Sequence, residues 1–402
     1  MFKGALPGFR DFYPQELAER AYIMSTWREV ARRYAFVEYD GPPLEPLELY
    51  TRKSGDEIVG QLYNFVDKGE REVALRPEMT PTVARMVAAR ANALRKPVRW
   101  FSMPQLFRYE RQQKGRLREH YQLNVDLFGT SDLAADAELL ACAIDMLRAF
   151  GLEKEHFVAR VSDRRLLNAL LVHIGVDEVA LTAVYAVIDK IDRQTTAESA
   201  DRLLKAVGNS AIATLVWKVV TEMSLPQLRT AFGSAATVGP LLDEMTAYFA
   251  YLDALGVGEF ARLDLKIVRG LAYYTGIVFE LFDTSGEFRA IAGGGRYDNL
   301  LASLGGADMP ALGFGMGDVV LGELLRARGL MTPAEQGPDV WLAADEASPM
   351  DAVMREAARR RGAGQSVEYA LRPQSLSKQK KAAQASGAKE FVTLSNDDGR
   401  NG

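Results

Sequence analysis

The stretch FRYERQQKGRLREHYQLNVDLFG, residues 107–129, limits what the chain can become more than any other part of it. FRYE and YQLNVDLF alternate in side-chain character, whereas RQQKGRLR holds no apolar residue but Leu117. That pattern predicts two β-strands joined by a charged loop, a hairpin with a cationic lip. Arg108, Arg111, Lys114, Arg116 and Arg118 crowd into it although the whole chain carries a net charge of −4, so the positive potential is local. Forked guanidinium groups grip phosphate oxygens in pairs, and several converging from adjacent strands suit a nucleoside triphosphate. On the return strand Gln122, Asn124 and Asp126 recur at period two, which puts three polar side chains on one face. A polar row on an otherwise apolar strand points to a pocket rather than to packing.

A chain of 402 residues, 48% hydrophobic and 25% charged, has room for two or three globular domains with a large core. Without bulk positive charge, any contact with RNA must come from local basic surfaces. The single cysteine, Cys142, lies in the apolar run ELLACAIDML and reads as a small buried residue. The N-terminus lacks a continuous apolar segment, and no run of about 18 apolar residues occurs, so a cytoplasmic protein without membrane contact is expected. Pro14 opens an amphipathic helix through about Ala35. FVEYDGPPLEPLELY reads as a strand interrupted by prolines, suited to a sheet edge or an interface. In VALRPEMTPTVARMV a strand runs through Pro77 into a helix, which keeps Arg76 extended and sets Glu78 and Thr80 at the helix mouth, as capping groups or as pocket groups. SDLAADAELLACAIDMLRAFG is a helix with a capping start and a stop at Gly151, HFVARVSD a strand, and residues 164–258 a succession of helical patterns. His156 and His173 have no cysteine or carboxylate at metal-ligand spacing, so no dedicated metal site is expected.

Four separated motifs resemble the class II aminoacyl-tRNA synthetases, the histidyl-tRNA synthetases in particular. They are RPEMT at 76–80, the FRYER…QKGR…HYQ hairpin, RGLAYYTG at 269–276 and GGGRYD at 293–298. The resemblance implies a class II catalytic fold of α+β type: a mixed, mainly antiparallel sheet flanked by helices, a helical insertion, and a C-terminal α/β anticodon-binding domain. It implies the core in residues 1–163 and 261–330, the insertion in 164–260, a linker at 331–338 and an anticodon-binding-like domain in 339–402, ending before that domain's last strand and helix. The implied reaction joins histidine to ATP as histidyl-adenylate and transfers histidine to its tRNA, in a homodimer with Pro43 at the interface and with Mg²⁺ carried by ATP. By the same resemblance Arg108 and Arg269 would be the catalytic arginines on the α-phosphate, Arg116 would reach the outer phosphates, Glu110 the adenine edge, and His120 would stack on adenine. Glu78 and Thr80 would hold the substrate amino group, Gln122 its amino and carboxylate groups, and Asp126 and Tyr274 the imidazole, with Tyr273 lining the pocket. Gln112, Gln113 and Lys114 would meet the tRNA acceptor end.

The chain departs from the family pattern at three positions. Asp126 stands where Glu is commoner and is one methylene shorter, so a bridging water is expected between it and the imidazole. Ala272 replaces an Asp, and Val320 takes the place of an ATP-binding arginine in the third class II motif, which would remove a charge-assisted contact of about 1.5–3 kcal/mol. These losses, with the short C-terminus, raise an alternative: a catalytically inactive histidine-binding subunit that regulates ATP phosphoribosyltransferase. The retained Arg108, Arg116 and Arg269 and the alternating strand–helix pattern after residue 338 favour the synthetase.

Overall fold

A computed structural model describes residues 4–51, 60–110, 117–268, 274–333, 336–344 and 349–394. The chain divides into two compact units, one of residues 1–11 with 23–331 and one of residues 12–22 with 332–402. The strands of the first unit are β1 (Val37–Glu38), β2 (Leu44–Pro46), β3 (Tyr63–Val66), β4 (Glu72–Leu75), β5 (Val98–Ser102), β6 (Gln105–Phe107), β7 (Glu119–Phe128), β8 (Phe157–Asp163), β9 (Ala261–Leu263), β10 (Ile277–Asp283), β11 (Ala292–Arg296) and β12 (Ala311–Gly317). Nine of them form one sheet in the order β1-β5-β7-β12-β11-β10-β8-β9, with β6 also on β7. Its central pairs are antiparallel and only the two outer pairs, β1 with β5 and β8 with β9, are parallel. This is the mainly antiparallel sheet that the motifs imply.

β7 holds the centre because its two faces differ. Leu123, Val125 and Leu127 are fully buried in the core, while Gln122, Asn124 and Asp126 take the opposite face. Helix Leu133–Arg148 buries Cys142 and most of its length, and helix Gly239–Ala254 packs against it. That second helix closes the helical series that starts at Arg164. The N-cap of the Leu133 helix is Asp132, which makes no side-chain capping bond. Its first turn is held instead by Asp136, ion-paired with Arg296 of β11. Thus the arginine of GGGRYD is a buried structural residue.

Two expectations change in detail. The strand predicted over FRYE ends at Phe107, because the Tyr109 N–H donates to the Gln61 carbonyl at 2.8 Å and leaves the ladder. The proline-interrupted stretch is not one strand: it gives β1 on the edge of the large sheet, β2 on the edge of a β2-β4-β3 sheet, and a short helix Leu47–Thr51. The edge placement suits prolines, which cannot donate to a ladder.

In the second unit β13 (Val340–Ala344), β14 (Val367–Tyr369) and β15 (Glu390–Leu394) form a parallel sheet in the order β14-β13-β15. Alternation along β13 separates two small cores. Val340 and Leu342 pack with Val353 and Ala357 of helix Met350–Gly362, and Trp341 and Ala343 with Ala383 of helix Leu376–Ala385. Among the described residues no helix is long and apolar enough to cross a membrane.

Candidate functional site

The polar face of β7 forms the floor of a cavity of about 370 Å³. Glycines make the space: a Cβ on Gly313 would stand 2.5 Å from Asp126 Oδ1 and 2.6 Å from Tyr297 Oη, and one on Gly315 would stand 2.8 Å from Gln122 Nε2. Since Gly313 lies opposite Asp126 in the ladder, and Gly315 opposite Asn124, β12 cedes its side-chain volume to the pocket residues of β7.

The cavity gathers Glu78, Thr80, Arg108, Glu110, His120, Gln122, Asp126 and Tyr274. These are all the predicted site residues that the structure describes. Gln112, Gln113, Lys114, Arg116, Arg269 and Tyr273 lie outside the described residues. Glu78 and Thr80 sit where the chain enters helix Thr80–Arg90, whose N-cap is Met79, and both line the cavity. Arg76, just after β4 and before Pro77, is buried, donating to Asp40 Oδ1 at 2.9 Å, the Gly41 carbonyl at 2.7 Å and the Gln105 carbonyl at 3.0 Å. Arg108 Nε donates to the Pro77 carbonyl at 2.9 Å, which ties the hairpin to the mouth of that helix.

At the inner end, Asp126 is 3% exposed and accepts a hydrogen bond from Tyr297 Oη on one oxygen. The other, Oδ2, is buried without a protein partner. Burial pushes this carboxyl up to about 7, against the opposing pull of the tyrosine hydrogen bond. Tyr274 stands near Tyr297, ring centroids 6.4 Å apart. At the outer end, burial first and then the Arg108 and Arg10 charges push His120 down to about 3. It is therefore a neutral ring at working pH, suited to stacking rather than to gripping phosphate.

Sequence reasoning misses four groups. Tyr297 is visible within GGGRYD but without a role. Arg10 donates to Glu119 at 2.7 Å and to Asp318 at 2.9 Å, two carboxylates that are almost fully buried, while the Tyr121 N–H and Gln105 Nε2 complete the network at 2.9 Å each. Glu280 and Arg289 line the cavity from the β10 side, and Val320 is also in its wall. No local period marks residues that meet across more than a hundred positions of chain. Among the described residues no group of His, Cys, Asp and Glu side chains is clustered to hold a metal ion.

Comparison with known proteins matches residues 8–317 to the family described as histidyl-tRNA synthetase. A histidine–tRNA ligase of Opitutus terrae is 47% identical over 391 residues, covering 96% of this chain and 89% of that protein. The chloroplastic/mitochondrial histidine–tRNA ligase of Arabidopsis thaliana is 38% identical, covering 96% of this chain and 79% of its own. A crystal structure from Bacillus halodurans, described as an ATP phosphoribosyltransferase regulatory subunit/histidyl-tRNA synthetase, superposes with a TM-score of 0.79 over 98% of both chains. Its 24% identity speaks to the fold alone, whereas the much closer sequence relatives are ligases.

Proposed function

The chain belongs to the histidyl-tRNA synthetase family, and from that premise we propose how its pocket divides the work of the reaction. The enzyme is a histidine–tRNA ligase: it activates histidine with ATP and transfers it to tRNA. In the proposed assignment Glu78 and Thr80 hold the α-amino group, Gln122 the amino and carboxylate groups, and Asp126 with Tyr274 the imidazole, Tyr273 lying beside them. The unpartnered Asp126 Oδ2 is the acceptor left for an imidazole N–H or for a water that bridges to it.

Arg108 and Arg269 clamp the α-phosphate, Arg116 takes the outer phosphates, Glu110 meets the adenine edge and His120 stacks on the base. A carboxylate oxygen of histidine attacks the α-phosphorus in line. The bond to the β-phosphate oxygen breaks, releasing pyrophosphate, and a terminal ribose hydroxyl of the tRNA then attacks the adenylate carbonyl to release AMP. Catalysis of this kind is mostly positioning and charge stabilisation. Mg²⁺, carried by the triphosphate, would neutralise its outer charges. Gln112, Gln113 and Lys114 meet the acceptor end. The exposed Arg372, Lys378, Lys380 and Lys381 of the second unit offer an anticodon-side surface.

The functional form we infer is a cytoplasmic homodimer. The dimer is supported by the apolar side chains of Leu44, Phe65 and Val66, exposed on the two edge strands of the β2-β4-β3 sheet. The observation that carries the site assignment is that one cavity joins the Glu78–Thr80 helix mouth, the polar face of β7 and Arg108. Pyrophosphate exchange into ATP across the twenty amino acids tests it. Exchange with histidine alone, lost in Arg108→Ala, is expected. Histidine binding with no exchange would overturn the assignment and support the regulatory alternative.

A further inference from the structure

Four carboxylates line the cavity, Glu78, Glu110, Asp126 and Glu280, against two guanidinium groups among the described residues, Arg108 and Arg289. A triphosphate carries charge on several oxygens and is held best by cations on more than one side. Arg108 stands just beyond β6. The wall that follows β12 presents Val319 and Val320, which offer no charge. Arg289 reaches the cavity from the connection between β10 and β11. The β11–β12 ladder ends at Ala292 and Met316, and Val319 and Val320 stand in the first turn of the helix Asp318–Ala327 that follows β12. Arg289 and the two valines line the same cavity. The backbone around it is held on both sides. The Ile291 N–H donates to the Leu281 carbonyl at 2.7 Å, and the Phe288 N–H to Oδ1 of the buried Asp283 at 3.1 Å. Arg289 is thus an exposed cation on an anchored turn at the wall of the pocket.

We propose that Arg289 is a nucleotide-binding residue of this enzyme, its guanidinium contacting the phosphates of ATP from the β10–β11 side and supplying the charge that Val319 and Val320 lack. The proposal rests on the assignment of the cavity to ATP and histidine given above. It also accounts for how an ATP site can tolerate valine at position 320.

The test is steady-state pyrophosphate exchange with the full chain as wild type, Arg289→Ala, Arg289→Lys and Arg289→Ala/Val320→Arg, varying ATP and histidine separately. Loss of one charge-assisted contact is expected to lower kcat/KM for ATP by about 10–100-fold in Arg289→Ala, with the histidine KM within about twofold of wild type. Lysine at 289 should retain an intermediate value, and arginine at 320 should restore part of the loss. An active wild type whose Arg289→Ala variant uses ATP unchanged overturns this proposal alone, as does an equal loss toward both substrates accompanied by a lower melting temperature. A wild type without histidine-dependent exchange overturns the site assignment, and the proposal with it.

Discussion

At the Asp126 end of the pocket an acid is buried against a tyrosine hydroxyl and a glycine-floored strand, whereas at the Arg108 end a neutral histidine lies among arginines. Both ends strip a titratable group of water, yet with opposite results. Asp126 is driven toward protonation, and His120 away from it. At the inner end one carboxylate oxygen of Asp126 is committed to Tyr297 and the other has no protein partner. The outer end holds an uncharged imidazole beside the Arg108 and Arg10 cations. What separates them is the chemistry of the two groups: burial, the first cause at both ends, favours the neutral form, protonated for a carboxyl and deprotonated for an imidazole, and at His120 the Arg108 and Arg10 charges push the same way.

The comparison breaks most forcefully at Arg10. Its guanidinium bridges two carboxylates whose side chains are only 1% and 4% exposed. Removing it in Arg10→Leu leaves both buried without their cation, which should cost about 3 kcal/mol of stability. The measurement is denaturant unfolding of the full chain. Asp318→Asn in the same background should recover part of the loss, and an Arg10→Leu midpoint equal to wild type would show that the network is not what holds the outer end. Because Tyr121 and Glu119 belong to β7 just beside His120, the ATP KM should rise more than the histidine KM.

At the inner end the corresponding break is Gly313→Ala. The new methyl would overlap Asp126 Oδ1 and Tyr297 Oη at 2.5 and 2.6 Å. Overpacking of this kind costs about 1–3 kcal/mol, so kcat/KM for histidine should fall by roughly 10–100-fold while ATP binding changes little. Equal losses toward the two substrates would mean that the ends are not independent. Tyr297→Phe is gentler. It deletes one hydrogen bond to the carboxylate, worth about 1.5 kcal/mol or roughly tenfold in kcat/KM for histidine. Because that bond lowers the Asp126 pKa, its loss should also move the acidic limb of the histidine KM profile to higher pH. A merely structural tyrosine would leave that limb in place.

How far these ends are legible in the sequence follows from the distances along the chain over which they are built. The alternation of Gln122, Asn124 and Asp126 against Leu123, Val125 and Leu127 is local, and it is enough by itself to mark the pocket face. The helix mouth at Glu78 and Thr80, set by Pro77, is local too, as is the alternation in β13. By contrast Tyr297 meets Asp126 across 171 positions and Arg10 meets Asp318 across 308. No periodicity carries such pairs; only the sheet order brings them together. The end of the FRYE strand escapes a sequence reading for the same reason, since it depends on the distant Gln61 carbonyl. Arg289 is equally silent, because its neighbours in sequence, EFRAIA, say nothing of the wall it faces. Only the cavity wall it shares with Val319 and Val320 reveals its place.

The smallest expected effect is also the sharpest discriminator between the two ends, because their pH dependences have opposite sign. Asp126 titrates near 7 in the folded chain against an ordinary value of 3.8, so between about pH 4 and 7 the native state holds a proton that the unfolded chain has lost. Its contribution makes stability fall as pH rises through that window. His120 titrates near 3 against an ordinary 6.5, so between about pH 3 and 6.5 the unfolded chain binds the extra proton, and stability rises with pH. Where the windows overlap, from about pH 4 to 6.5, the two slopes oppose each other. Asp126→Asn should therefore steepen the rise of stability with pH by about 1 kcal/mol per unit, and His120→Phe should turn it downward by a similar amount. Unfolding free energies of the three proteins at pH 4.5, 5.5 and 6.5 decide it. Two variants that shift the slope in the same direction would show that the pocket titrates as one environment, and the contrast between its ends would then have to be abandoned.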